Sequence, residues 1–110
     1  ERLLLDGGSD VIIGTEICED LWSVIPPSSN HSLAGATIIA NPSAGNEITG
    51  KDSYRLSLVS SQSAKTISSY IYTCAGYGES TTDVVFSGHN IICENGTVLA
   101  TAKRFENGIV

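Results

Sequence analysis

Cys18 lies in Gly14-Thr15-Glu16-Ile17-Cys18-Glu19-Asp20-Leu21-Trp22, directly after the apolar run Val11-Ile12-Ile13. The chain then turns polar and meets Pro26-Pro27. This pattern reads as a buried strand that carries a thiol, flanked by carboxylates, to its C-terminal end. That edge is where α/β folds bind ligands. A thiol there is a candidate nucleophile, provided a neighbouring group favours its ionised form. The bland reading is a structural cysteine, a common core residue.

Other residues carry weaker signals. Glu16, Glu19 and Asp20 read equally as a solvated acidic turn, with Asp20 a cap or loop anchor. Lys51 and Arg55 stand one helical turn apart and could attract a carboxylate, or could be a solvated helix start. His31 and His89 have no partner at catalytic spacing, and His89 in Ser87-Gly88-His89 reads as a turn residue. Cys74 and Cys93 sit in apolar runs and read as core, and Trp22 reads as packing. Three cysteines without a CxxC spacing argue against a disulfide framework or a zinc knuckle. Free thiols fit a reducing, cytoplasmic setting.

The elements that must hold these residues fit one small domain of 110 residues, 41% hydrophobic and 16% charged. A net charge of -6 without a Lys/Arg cluster argues against nucleic acid as a partner. No apolar run approaches the roughly 20 residues of a membrane span. Strands are expected from Val11 to Ile17, Ala36 to Asn41, Tyr70 to Cys74, Val84 to Phe86, Asn90 to Cys93 and Thr97 to Ala102. A short helix, capped by a serine oxygen, is expected after Pro26-Pro27. A longer helix is expected from about Ser53 to Ser68, capped by Asp52. Its inner face would hold Tyr54, Leu58, Ala64 and Ile67, with Leu56 and Val59 widening it, and Arg55, Ser60, Ser61 and Lys65 would face outwards. Glu94-Asn95-Gly96-Thr97 signals a hairpin, because Asn-Gly readily takes positive φ. Gly76 to Asp83 is a polar loop whose Glu79 to Asp83 part reads as structural or as a subunit contact, or simply as held by its own Ser and Thr hydrogen bonds. The order β, α, β, α, β, then a β-meander makes the fold class α+β.

Several stretches together resemble the carbon–nitrogen hydrolase (nitrilase) superfamily and, within it, the glutaminase domains of glutamine-dependent NAD+ synthetases. They are Glu16 to Trp22, Pro26-Pro27-Ser28, Leu33 to Ala36, Asn41 to Ala44, Gly50-Lys51, Tyr54-Arg55, Gln62 to Lys65, Ala75 to Asp83, Gly88-His89, Glu94 to Gly96 and Arg104-Phe105. The resemblance covers almost the whole chain. It implies the C-terminal part of a nitrilase-like α-β-β-α sandwich: a mixed sheet with two helices and a terminal β-hairpin. Residues 1–110 would then be a partial glutaminase domain, without its N-terminal part and without a synthetase domain. The opening residues Glu1 to Asp6 look like the tail of another element.

The resemblance also implies a chemistry built on Glu, Lys and Cys. A thiolate attacks the side-chain amide of glutamine, ammonia leaves, and water hydrolyses the thioester. Cys18 would be the nucleophile, and Glu19 and the loop Ser43 to Lys51, with Gly45 and Lys51 in it, would line the glutamine site. Gly45 stands where many relatives carry Ser, so a contact there would come from backbone. The family's Glu and Lys lie upstream of the cysteine, where no motif matches, so neither role is assigned to a residue. These 110 residues alone are expected to be inactive. No cofactor or metal is implied for them, whereas ATP, Mg2+ and deamido-NAD+ would belong to the synthetase domain. Self-association or a homo-oligomer is expected, because part of a sandwich exposes a sheet face. Another carbon–nitrogen hydrolase acting on a simple amide, a non-catalytic interaction module and a redox thiol protein remain alternatives.

Overall fold

Three runs of mostly β-branched and aromatic residues form the parallel centre of the structure. In the computed structural model, which describes residues 4–6 and 10–110, they are β2 (Ile12–Thr15), β3 (Ile38–Ser43) and β4 (Ser69–Cys74). The hydrogen-bonded neighbours β2-β3-β4 run parallel. Antiparallel strands flank them: β1 (Leu4–Asp6) beside β2, and β5 (Ile91–Glu94) beside β4. β6 (Thr97–Thr101) closes a hairpin on β5, and the sheet order follows the sequence from β1 to β6. Glu1, Arg2 and Leu3 of the expected tail segment lie outside the described residues.

Parallel neighbours need crossovers, and two helices supply them. Helix α1 (Pro27–Leu33) links β2 to β3, and α2 (Lys51–Thr66) links β3 to β4. α1 packs on β2 and on α2, and α2 packs on β4, β5 and β6, so both helices cover one face. Ile39, Tyr70, Tyr72, Ile91 and Cys93 point into that layer and meet Val59 of α2 in the core. At Gly14 the helix comes so close that a Cβ would lie 2.7 Å from the Cβ of His31. The mixed sheet, two helices and terminal hairpin match the expected α+β class.

Four local expectations need correction. Val84 to Phe86 is not a strand, because the Val85 carbonyl accepts from Glu47 N–H at 2.8 Å and ties two loops together instead. Asp52 lies inside the first turn of α2, and Gly50, at φ +80°, takes the capping position. The cap of α1 comes from a distance: the Ser28 N–H donates to Glu16 Oε2 at 2.7 Å, and no neighbouring side chain caps the helix. The inner face of α2 is Arg55, Val59, Gln62 and Ser63, a regular helical stripe that is three-quarters polar. Tyr54, Ala64 and Ile67, expected inside, are exposed. The hairpin turn has Asn95 and Gly96 both at positive φ, as its sequence requires.

Candidate active site

The parallel strands bring three segments to one edge of the sheet. Beyond β2 the chain enters a 3-10 turn over Cys18–Trp22, while Asn41 and Ser43 end β3, and Tyr72 and Cys74 end β4. Asn41 and Ser43 are two residues apart, as are Tyr70 and Tyr72, so strand alternation turns all four toward the helical layer. Cys18 meets them there.

Cys18 has φ +52°, a left-handed conformation that costs a side-chain-bearing residue energy unless its surroundings enforce it. Those surroundings are visible. Asn41 Oδ1 accepts from the Cys18 N–H at 2.8 Å, and Asn41 Nδ2 donates to the Cys18 carbonyl at 3.3 Å and to Tyr70 Oη at 3.0 Å. Tyr70 donates in turn to Glu16 Oε1. Burial, then the charge and hydrogen bond of Glu16, push the Tyr70 phenol far above its ordinary range, so it acts only as the protonated group. Ahead of the cysteine, Asp20 Oδ2 accepts from the Ile17 N–H at 2.8 Å and anchors the turn. The Cys18 N–H is therefore spent on Asn41 and is not available to an oxyanion.

Glu16 is 2% exposed and belongs to this buried scaffold, not to a solvated acidic turn. The Cys18 Sγ is half-buried and lies 3.3 Å from Ser43 Oγ, which donates to it. Tyr72 Oη donates to Ser43 Oγ at 2.8 Å.

A second polar cluster backs onto Tyr72. The Arg55 guanidinium lies 6.0 Å from the Tyr72 ring centre, and Arg55 is fully buried, not on a solvated helix start. Its Nη1 donates to Glu47 Oε2 at 3.1 Å and to His89 Nδ1 at 3.0 Å, while its buried Nε and Nη2 have no hydrogen-bond partner among the described residues. Ser87 Oγ also donates to Glu47, and Arg104 reaches its other oxygen at 3.4 Å. Burial pushes the Glu47 carboxyl up, but the Ser87 hydrogen bond, the Arg55 hydrogen bond and charge, and the Arg104 charge outweigh it and hold it below 4.5. His89, expected only as a turn residue, is a buried member of this cluster.

Of the sequence-derived site residues, Cys18 and Gly45 come together. A Cβ at Gly45 would lie 3.3 Å from Tyr72 Oη and 3.5 Å from Ser43 Oγ. Lys51 Nζ stands 6.0 Å from the centre of the Trp22 ring, on the same turn as Cys18, and donates to Asn46. Glu19 is exposed on that turn and forms no ion pair among the described residues. His31 donates from Nε2 to the Thr15 carbonyl at 2.9 Å and ties α1 to β2. The Gly76 to Asp83 loop holds itself: Glu79 accepts from the Gly76 N–H at 2.6 Å and Thr81 Oγ1 from the Val84 N–H at 3.1 Å. Among the described residues no cluster of His, Cys, Asp or Glu could hold a metal ion, and no helix is long and apolar enough to cross a membrane.

The sequence reading put Ser43 in the loop lining the glutamine site but missed Asn41, Tyr70 and Tyr72 as parts of the cysteine's surroundings. One signal was present: polar groups recurring every second residue near the ends of two otherwise apolar strands.

Known proteins resemble this chain in sequence and fold. The chain is 40% identical over 119 aligned residues to the glutamine-dependent NAD(+) synthetase of Mycobacterium tuberculosis, covering 94% of this chain and 18% of that protein. It superposes with a TM-score of 0.78 and 29% identity on a glutamine-dependent NAD(+) synthetase from Cytophaga hutchinsonii, covering 94% of this chain and 16% of the other. Saccharomyces cerevisiae Nit3, a member of the nitrilase superfamily, shares the fold at a TM-score of 0.82 and 20% identity, over 97% of this chain and 38% of Nit3. No family model matches. The chain spans less than a fifth of the length of the synthetases it matches.

Proposed function

Over nearly its whole length the chain is a relative of glutamine-dependent NAD+ synthetases, and from that kinship we propose that it carries the nucleophile of a glutamine amide hydrolase. The Cys18 thiolate attacks the side-chain amide carbonyl of glutamine, the tetrahedral intermediate expels ammonia, and water hydrolyses the thioester. The ammonia then serves amidation of deamido-NAD+ by an ATP-dependent domain. The base and the cation that the resemblance calls for are assigned to no residue of this chain. Glu19, the Gly45 backbone and Lys51 form its side of the glutamine site, with Lys51 drawing the α-carboxylate.

One observation carries this reading: the left-handed Cys18 backbone, clamped by Asn41 at the ends of three parallel strands, with Sγ beside a hydroxyl donor. Strain of this kind is concentrated at functional sites, and a structural cysteine has no need of it. Cys74 and Cys93 have ordinary φ, and burial pushes both thiols up, away from the ionised form.

The test uses the protein that contains this chain. A glutamine-like chloroketone should alkylate Cys18, and Cys18→Ala should abolish ammonia release from glutamine. An adduct on Cys74 or Cys93 with Cys18 untouched would overturn the assignment. Turnover of simple amides in preference to glutamine would move the activity to another carbon–nitrogen hydrolase.

A further inference from the structure

We propose that Ser43 is a catalytic residue of the Cys18 site, with Tyr72 its positioning residue: a hydroxyl relay from Tyr72 through Ser43 donates a hydrogen bond to the nucleophilic sulfur and stabilises its thiolate. This inference rests on the reading of Cys18 as nucleophile, and it names two groups that this reading does not use.

The direction of the relay follows from proton counting. A serine hydroxyl has one proton to give and two lone pairs to receive with. Tyr72 Oη occupies one lone pair of Ser43 at 2.8 Å, which leaves the Ser43 proton for Cys18 Sγ at 3.3 Å, within reach for a sulfur acceptor. Burial, the largest cause, pushes the Tyr72 phenol up to about 12, so the head of the relay keeps its proton across the working range. Tyr72 is 0% exposed, and the Trp22 ring packs on it at 6.4 Å between centres, which fixes the phenol in place. A hydrogen bond to an ionised acceptor is stronger than one to a neutral acceptor, so the relay favours thiolate over thiol.

The relay has a kinetic signature. Losing a donor worth about tenfold to the thiolate lowers the ionised fraction by about that factor at neutral pH. The more basic thiolate regains about threefold in nucleophilicity, leaving a net slowing of about threefold. At high pH every thiol is ionised and the slowing vanishes or reverses.

The other titratable groups do not change in this comparison. They are Glu16, Glu19 and Asp20 on the cysteine's own segment and His31 on α1. On α2 they are Lys51, Asp52, Arg55 and Lys65, and Cys74 stands on β4. Glu47 joins the cluster through Arg55.

Site-resolved iodoacetamide alkylation across pH, read by peptide mass spectrometry with a cysteine-free peptide of the same digest as internal reference, tests the proposal on the protein that contains this chain. Ser43→Ala should slow Cys18 alkylation about threefold at neutral pH, with the curves meeting or crossing at high pH. Ser43→Thr, which keeps the hydroxyl, should restore the wild-type profile, and Tyr72→Phe should slow it less than Ser43→Ala. An unchanged Ser43→Ala profile would overturn the proposal. So would a Ser43→Thr variant that follows Ser43→Ala, or a slowing equal at every pH, which is the mark of mere packing. Chloroketone labelling with a glutamine analogue separates the two readings. If alkylation depends on Ser43 while the analogue ignores Cys18, the glutaminase reading fails alone; the reverse result removes only the relay.

Discussion

Asn41 grips Cys18 by both polar groups of its backbone, accepting from the N–H at 2.8 Å and donating to the carbonyl at 3.3 Å. A single 1%-exposed side chain thus enforces the left-handed backbone at φ +52°. Its amide also donates to Tyr70, so three polar groups depend on it.

Asn41→Ala should therefore do more than remove one residue. It leaves the Cys18 N–H and carbonyl without their side-chain partner, and each unsatisfied buried group costs about 1–3 kcal/mol. The expected loss is about 3 kcal/mol in urea unfolding, with Cys18 alkylation altered as the turn relaxes. Asn41→Asp keeps the acceptor but loses the donor and places a carboxylate near Glu16, so it should be no milder. A variant with unchanged stability and unchanged Cys18 reactivity would show that the turn holds itself.

The same residues explain what was legible in the sequence. Five of the six expected strands were readable because Ile and Tyr runs leave few alternatives, whereas the Val84 to Phe86 run formed none, and the hairpin was readable because Asn95-Gly96 suits its turn. The inner face of α2 was misread because periodicity searches look for apolar residues, and this stripe buries Arg55, Gln62 and Ser63. Each is affordable only through partners elsewhere in the chain: Glu47 and His89 for Arg55, Ser28 for Gln62, and the Ser68 carbonyl for Ser63. Glu16 was misread for the same reason, since the tyrosine that holds it inside lies 54 residues away. Local patterns cannot show such long-range compensation.

Acid should weaken the fold through His89 and Glu47. Arg55 has no acceptor, so its bond to His89 Nδ1 requires that nitrogen to be unprotonated, leaving Nε2–H to donate to Thr101 Oγ1 at 3.1 Å. Burial, then the Arg55 charge, lower His89 from 6.5. A base depressed in the folded state adds stability above its unfolded value, and that stability is lost as pH falls below 6.5 and through the folded pKa. Glu47, also depressed, adds a second loss below 4.5. Chemical unfolding at a series of pH values should show both declines, and His89→Gln should flatten the upper one. A wild-type curve flat from pH 7 to pH 5 would refute this account (a window of about that span follows from the histidine reference value).

Gly45 tests the hydroxyl pair from the side. Its φ is not in the left-handed region, so alanine meets no backbone penalty there. The new methyl would sit 3.3 Å from Tyr72 Oη, whose ring is buried and cannot swing away. Gly45→Ala should change stability by less than about 1 kcal/mol, since reduced chain entropy offsets the tight contact. Its effect should appear instead as slower Cys18 alkylation, part of the way to Ser43→Ala. Equal rates for wild type and variant would mean that the Tyr72–Ser43 bond tolerates the crowding.

The sheet's second face makes the last prediction. Leu5, Ile13 and Ile38 are register neighbours there, as are Ala40, Ile71, Ile92 and Ala100, and among the described residues no helix lies over them because α1 and α2 occupy the opposite side. These side chains are half-buried by one another, except Leu5, which is 48% exposed. Such a face self-associates in water unless something covers it. The 110-residue chain on its own should therefore sediment as dimers or larger species at high concentration. Ile71→Lys should shift it toward monomer, because a two-fold contact contains the residue twice. Two isoleucines at about 1.5–3 kcal/mol each correspond to a Kd weaker by more than a hundredfold. Within a longer protein that covers this face, the same substitution should lower unfolding stability instead. A wild-type chain that sediments as a monomer at every concentration would show that the apolar rows shield one another well enough to stay in water.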